Sequence, residues 1–259
     1  MKPKRIYRCD GSVDGIFTAI YDAYESRYGH ADIVITETDE NTNLELFAEY
    51  IDTFADEEKS EKVAASIKTK ISLDAYEVVI KSALSTKKGR ADAIYRFLQL
   101  GFATGRSVLN QLSHPYVLPV FELERGVNNE ISHYLQFVRF SELKNTILLS
   151  RVRPENNIIT LIAPHFEDRL TEENWMIYDE GRNLAAIHKS RYPWVLVDGK
   201  ELNRSSLEQF SDLELDMQIF WQTFVDTIAI KERISEKLQK QMLPNRYREF
   251  MREMPYKVK

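Results

Sequence analysis

Apolar residues recur along this chain at two different spacings, and the changes of spacing divide it into segments. Residues 6–9 form a short apolar run, and after Asp10-Gly11-Ser12 apolar side chains return at Val13, Ile16, Phe17, Ile20 and Tyr24. The run is strand-like, while the intervals of three and four that follow make one face of a helix, with Asp10 or Ser12 placed to cap it and Gly29 to stop it. Residues 31–36 read as a second strand, so the opening predicts two parallel strands joined by a right-handed helical crossover. From residue 43 to 112 helical spacing predominates: Leu44, Phe47, Ile51 and Phe54, then Val63, Ile67 and Ile71, then Tyr76, Val79, Ile80 and Leu84. A break at residues 85–90 precedes Ile94, Phe97 and Leu98, and that helix is expected to run to Gly101. Pro119 is expected to end any regular element it falls in.

Past a short helix expected over residues 128–134, the spacing shortens. Residues 135–140, 146–152, 158–162, 175–178, 184–188 and 194–197 each read as a strand. Turn signals part them at Lys144-Asn145, Pro154-Glu155-Asn156-Asn157, Glu180-Gly181 and Asp198-Gly199. Short connections predict antiparallel neighbours in a meander, interrupted by a helical turn over residues 164–170. Helical spacing then returns. Ser211 and Glu214 predict a capping box, and Leu213, Met217, Phe220, Trp221, Phe224, Val225 and Ile228 form a broad stripe expected to pack in the core. With no internal repeat or low-complexity linker, the chain reads as a single α+β domain. Residues 1–130 are mainly helical, 131–198 form the meander, and 199–259 are C-terminal helices; both helical parts pack on a mostly antiparallel sheet.

A length of 259 residues lies near the upper limit for one core, and an apolar share of 43% suffices to fill it. The single cysteine, Cys9, excludes an internal disulfide, a CxxC zinc knuckle and the three thiolates of a radical SAM cluster. Neither a signal peptide nor a run of roughly 20 apolar residues is visible, so the expectation is a soluble cytoplasmic protein without a membrane partner. The net charge of -5 hides an asymmetry. Residues 32–61 hold eleven Asp and Glu against one Lys, whereas residues 231–259 hold nine Lys and Arg against four Asp and Glu. Solvated helix faces explain such runs, and a phosphate-facing tail is the alternative for the basic one.

Several polar clusters carry candidate chemistry. The loop at residues 10–15 has free N–H groups but lacks the GxGxxG or Walker spacing, which leaves an ordinary helix cap as its simpler reading. Lys87, Lys88 and Arg90 precede a helix start, where cations and free N–H groups converge on a phosphate or merely form a polar loop. His165 and Arg169 stand four apart, hence on one helix face. Asp179 and Arg182 follow at a strand end. Brought together, His165 and Asp179 would act as catalytic acid and base, and Arg169 and Arg182 would bind an anion. The competing account is a salt-bridged cluster tying a helical turn to the sheet. Glu130 and His133 form half of a di-iron motif that needs a second copy, absent here, so no metal is expected. No GxSxG elbow, HExxH site or P-loop occurs, and no cofactor is implied. His30 and His188 have no partner pattern and read as structural or exposed.

The stretches CDGSVDGIFTAIYDAY, RFLQLGFATG, HYLQFVRFSEL, APHFEDR, MIYDEGR and FWQTFVDTIAIKERISEKLQKQMLPNRY, in that order, resemble a bacterial family of unknown activity assigned to DNA metabolism. The resemblance runs over essentially the whole chain. Members of that family are encoded beside a radical SAM protein of DNA modification or repair, and a similar domain occurs fused to a uracil-DNA glycosylase-like domain. The family's polar positions fall here on His133 and Arg139, on His165 and Arg169, on Asp179 and Arg182, and on Arg246 with Tyr247. Cys9 stands where related sequences tend to have tyrosine, and Ser235 in a region where they often have asparagine. The resemblance implies an accessory protein of DNA repair or modification that binds DNA and acts with a radical SAM partner. Arg139, Arg169, Arg182 and Arg246 would contact phosphate, with Tyr134, Tyr178 or Trp175 available to stack on a base. The alternatives are an enzyme acting on a nucleotide or damaged base through His165 and Asp179, and a scaffold docking its partner through the acidic segment at residues 37–61.

Overall fold

The first strand, β1 (Lys4–Cys9), lies between β2 (Ile33–Glu37) and β3 (Ala48–Asp52) in a three-stranded sheet whose pairs are both parallel. This computed structural model describes residues 3–38, 45–202, 204–230, 233 and 235–251. Parts of the acidic segment (39–44) and of the basic tail (231, 232, 234 and 252–259) lie outside the described residues. The chain divides into two compact units, Met1–Asn129 and Glu130–Lys259.

In the first unit α1 (Val13–Glu25) joins β1 to β2, as the spacing predicts. Ser12 caps it, its hydroxyl accepting from the Gly15 N–H at 2.9 Å, while Asp10 holds Ser12. The helix buries Ile16, Phe17 and Ile20 against Tyr7 and Cys9 of β1 and Ile33 and Ile35 of β2. Within the helix expected from Leu44 to Phe54, Leu44 lies outside the described residues and Ala48–Asp52 instead form β3. Its residues Tyr50 and Ile51 sit opposite Ile6 and Tyr7, so the unpaired edge of β1 gains hydrogen bonds that outweigh a helix-like spacing. Three helices follow, α2 (Glu57–Lys70), α3 (Leu73–Ala83) and α4 (Arg90–Thr104). Of the expected phosphate-gripping cluster, Lys87 and Lys88 are exposed, but Arg90 is buried. It pairs with Glu37 at 2.8 Å and donates to the Gly11 carbonyl at the same distance, pinning the start of α4 to the sheet.

The boundary between the units falls within α5 (Leu118–Phe137), a 20-residue helix. It absorbs the short helix expected at 128–134 and the first half of the strand expected at 135–140. Pro119 sits in its first turn and begins the element rather than ending one, since the missing N–H has no intrahelical partner there in any case.

The second unit is built on a sheet in the order β4 (Ser141–Glu142), β5 (Leu148–Val152), β6 (Trp175–Asp179), β7 (Leu184–His188) and β8 (Val195–Asp198). Three of its pairs are antiparallel, but β5 and β6 run parallel. The cause is α6 (Ile159–Arg169), which absorbs the strand expected at 158–162 and supplies the crossover that a parallel pair requires. The α+β class with a mostly antiparallel sheet therefore holds, while the uninterrupted meander does not. Trp175 is fully buried, stacked on His188 at 5.0 Å; His188 Nδ1 lies 2.9 Å from the Glu173 carbonyl. His188 is thus a core histidine.

Among the described residues the last two α-helices are α7 (Asp212–Ile228) and α8 (Glu236–Met242). The apolar stripe of α7, expected in the core, is exposed: Phe220 is 68% and Leu213 65% accessible. The helix is attached by its polar edge. The outer edge of β4 leaves Glu142 backbone groups without strand partners. Glu214 accepts from the Glu142 N–H, Ser211 N–H donates to the Glu142 carbonyl, and Gln218 reaches Ser141. Only half of the expected capping box forms, because the Ser211 hydroxyl takes the Glu214 N–H while the Glu214 carboxylate is spent on the sheet.

Candidate functional site

The C-terminal turns of α5 carry Glu130, His133, Tyr134 and Phe137 at intervals of three and four, so that these side chains follow one another along the helix. Glu130 is 1% exposed. One of its oxygens accepts from the Glu155 N–H (2.8 Å), and the other accepts from the Asn156 N–H (2.8 Å) and side-chain amide (2.7 Å). The acid of the Glu-x-x-His pattern is therefore an acceptor that shapes the loop after β5. That loop carries the site. Glu155 binds Arg246 at 2.7 Å through its carboxylate and Arg182 through its carbonyl, and Arg182 also reaches the Pro154 carbonyl.

On the other side, Tyr247 enters from a short 3-10 turn, Asn245–Tyr247, and is buried. His133 stacks on it, with ring centroids 4.8 Å apart and planes inclined by 3°, and Tyr134 meets it edge-on at 5.2 Å. Arg246 donates to the Tyr247 hydroxyl at 2.7 Å. Burial pushes the Tyr247 phenol above its ordinary pKa against the opposing pull of Arg246, and it raises Tyr134 too, with Glu130 adding to the effect. Both phenols thus stay protonated near neutral pH.

Aromatic rings and three guanidiniums line a narrow cleft: Tyr134 and Phe137 from α5, Arg139 just past its end, Arg151 from β5, and Arg246 with Tyr247 from the C-terminal segment. Arg139 is exposed and donates to the Gln136 and Val138 carbonyls at the helix end. Arg151 is held by the Leu207 carbonyl, and its Nε is buried without a hydrogen-bond partner. Arg246 is half exposed, as is the Glu155 carboxylate it pairs with.

Of the residues expected to form a site, His133, Arg139, Arg246 and Tyr247 share this neighbourhood. Asp179 and Arg182 lie beside it in a structural pairing. Asp179 is fully buried and accepts from the Gly181 and Arg182 N–H groups and from the Arg182 guanidinium at 3.2 Å, fixing the turn between β6 and β7. His165 and Arg169 are not brought to them. They are exposed together on the second half of α6, which returns toward the Trp175 end of β6. Asp179 ends that strand four residues on, about 13 Å away at a strand's rise. The two signatures therefore do not converge: His165 and Arg169 are exposed on α6, and Asp179 is fully buried in its pairing with Arg182. Glu155, Arg151 and Phe137 were not singled out from the sequence. The Arg151-x-Arg153 alternation in a strand was a signal for the second of these, because period two places both guanidiniums on one face.

A domain of unknown function, DUF4130, matches residues 88–253, well over half of the chain. The chain belongs to the DUF4130 family. The DUF4130 match contains every residue of the cleft and begins after β1, α1 and β2, so the parallel sheet of the first unit lies outside it. No curated protein matches the chain. Among the described residues no helix is long and apolar enough to cross a membrane.

Proposed function

We propose that this DUF4130 protein is an accessory factor of DNA repair or modification that binds a nucleic acid strand across the cleft of its second unit and works with a radical SAM enzyme. The observation that carries the binding reading is the union of Arg139, Arg151 and Arg246 with the stacked rings of His133 and Tyr247. Guanidiniums track a phosphate backbone, and aromatic faces take bases without regard to sequence. The cleft is too narrow to admit a base, so the strand lies across its mouth. The Arg246–Glu155 pair does not block this, because an ion pair with both partners half exposed is worth about 0–1 kcal/mol and readily exchanges its carboxylate for phosphate. The repair setting and the radical SAM partner rest on the family resemblance of the sequence. Arg169, with His165, stands apart and is not part of the surface.

The test is fluorescence anisotropy with a labelled single-stranded oligonucleotide and its duplex at low salt. Binding should weaken by roughly 1–3 kcal/mol on His133→Ala if a base stacks on that ring, which is only partly buried, and should be unaffected by Arg169→Ala. Absence of binding to either oligonucleotide, or loss confined to Arg169→Ala, would overturn the reading. Co-purification with the radical SAM protein tests the partnership separately.

A further inference from the structure

An aromatic-walled place for a small ligand lies in the first unit, in an open cleft of about 530 Å³ between α1, α2 and α4. That volume falls inside the roughly 300–1,000 Å³ usual for small-molecule sites. Its wall is aromatic: Tyr24 of α1 meets Phe102 of α4 edge-on at 5.7 Å, beside Tyr21. The Tyr24 hydroxyl is buried and has no hydrogen-bond partner. A buried donor left unpaired costs free energy and calls for an acceptor that completes it. The rim is cationic. Arg27 and Lys70 both line the cleft, both are exposed, and neither takes part in an ion pair among the described residues. Lys70 Nζ lies 5.9 Å from the centre of the Phe102 ring, so a cation and an apolar ring face stand side by side. Glu25 is the sole carboxylate among the lining residues.

An aromatic wall, one orphaned donor, two uncommitted cations and one acceptor match a ligand that carries a flat ring, hydroxyl groups and a phosphate. We propose that this cleft binds a mononucleotide, with its base against Phe102, its phosphate on Arg27 and Lys70, its ribose hydroxyls on Glu25, and an acceptor atom on the Tyr24 hydroxyl. An inorganic phosphate would leave the wall and the phenol unused, and a nucleoside would leave the cations unused. This site is separate from the strand-binding cleft of the second unit and stands independently of it.

Calorimetric titration of the full chain with each of the four ribonucleoside monophosphates, with adenosine and with inorganic phosphate tests the assignment. At least one nucleotide should bind at least tenfold more tightly than either fragment. Lys70→Glu and Arg27→Glu should each weaken it by roughly tenfold or more, the range of a charge-assisted contact. Tyr24→Phe, which keeps the ring and the packing, should weaken it by roughly fivefold, the worth of one hydrogen bond, and leave phosphate binding unchanged. Arg246→Ala should leave nucleotide affinity intact. Failure of all four nucleotides to bind at millimolar concentration would overturn the proposal. So would nucleotide affinity equal to that of phosphate, which marks an anion site only, or affinity indifferent to all three substitutions in the cleft, which leaves the Tyr24 hydroxyl to a water molecule.

Discussion

Replacing Glu130 with alanine is the perturbation that probes the architecture of the second unit most sharply. Its carboxylate is 1% exposed and receives three hydrogen bonds, from the Glu155 and Asn156 backbone and from the Asn156 side chain. A hydrogen bond to a charged group contributes about 1.5–3 kcal/mol, and the substitution strands three donors. Against this, the mutant no longer bears the desolvation of a buried carboxylate, which is itself several kcal/mol. The net cost should be about 3 kcal/mol, the lower end of what breaking a buried charged pairing produces. All three tryptophans, Trp175, Trp194 and Trp221, lie in the second unit, so urea unfolding followed by tryptophan fluorescence reads that unit alone. With a slope of roughly 1.5 kcal/mol per molar urea, the midpoint should fall by about 2 M. Because Glu155 also holds Arg246 and Arg182, strand binding should weaken in the same variant even where it remains folded. A midpoint within 0.3 M, on the order of 0.5 kcal/mol at that slope, would refute the role given to Glu130 as the acceptor that shapes this loop.

Three other outcomes follow from the structure. Phe220→Ser should change the stability of the second unit by no more than about 0.5 kcal/mol, as at other exposed positions, against the roughly 3–5 kcal/mol of a core phenylalanine; urea unfolding decides, and a core-sized loss would mean that the face is covered in solution. Cys9 is fully buried, and burial pushes its thiol up to about 11, so the native protein should resist iodoacetamide at pH 8 and react only when unfolded. His30 sits beside the Tyr95 hydroxyl with its pKa lowered from 6.5 by burial and then by Arg96. The unfolded chain therefore takes up that proton first as pH falls. The contribution of His30 to stability is fully present above the ordinary histidine range and is lost as pH drops toward the folded value, after which the loss levels off. A proton NMR titration of His30 should give a midpoint below 6.5, and one above it would contradict the assignment.

What the sequence revealed depended on how local the cause was. The capped α1 and its two flanking parallel strands were legible because Ser12, the spacing of Ile16, Phe17 and Ile20, and the apolar run at Ile33 all act within a few residues of one another. The strand β3 was not, because its pairing depends on the open edge of β1 more than 40 residues earlier. The exposed stripe of α7 misled for a related reason: hydrophobic spacing marks a helix face but not its direction, and here Glu214 and Ser211 turn the polar edge inward to complete β4. In the candidate site, the types of residue could be read from the chain, but their grouping could not. Glu130 looked like half of a metal motif until its 25-residue reach to Glu155 was visible. His165 and Asp179 looked like neighbours because only 14 residues part them, yet His165 is exposed on α6 whereas Asp179 is fully buried at the end of β6.

The salt dependence of strand binding tests the central claim most directly. If Arg139 and Arg246 neutralise phosphates at the mouth of the cleft, a plot of log affinity against log salt for a single-stranded oligonucleotide should lose roughly 0.7 of slope for each of Arg139→Ala and Arg246→Ala. A slope identical to that of the unaltered protein in both variants would contradict the account.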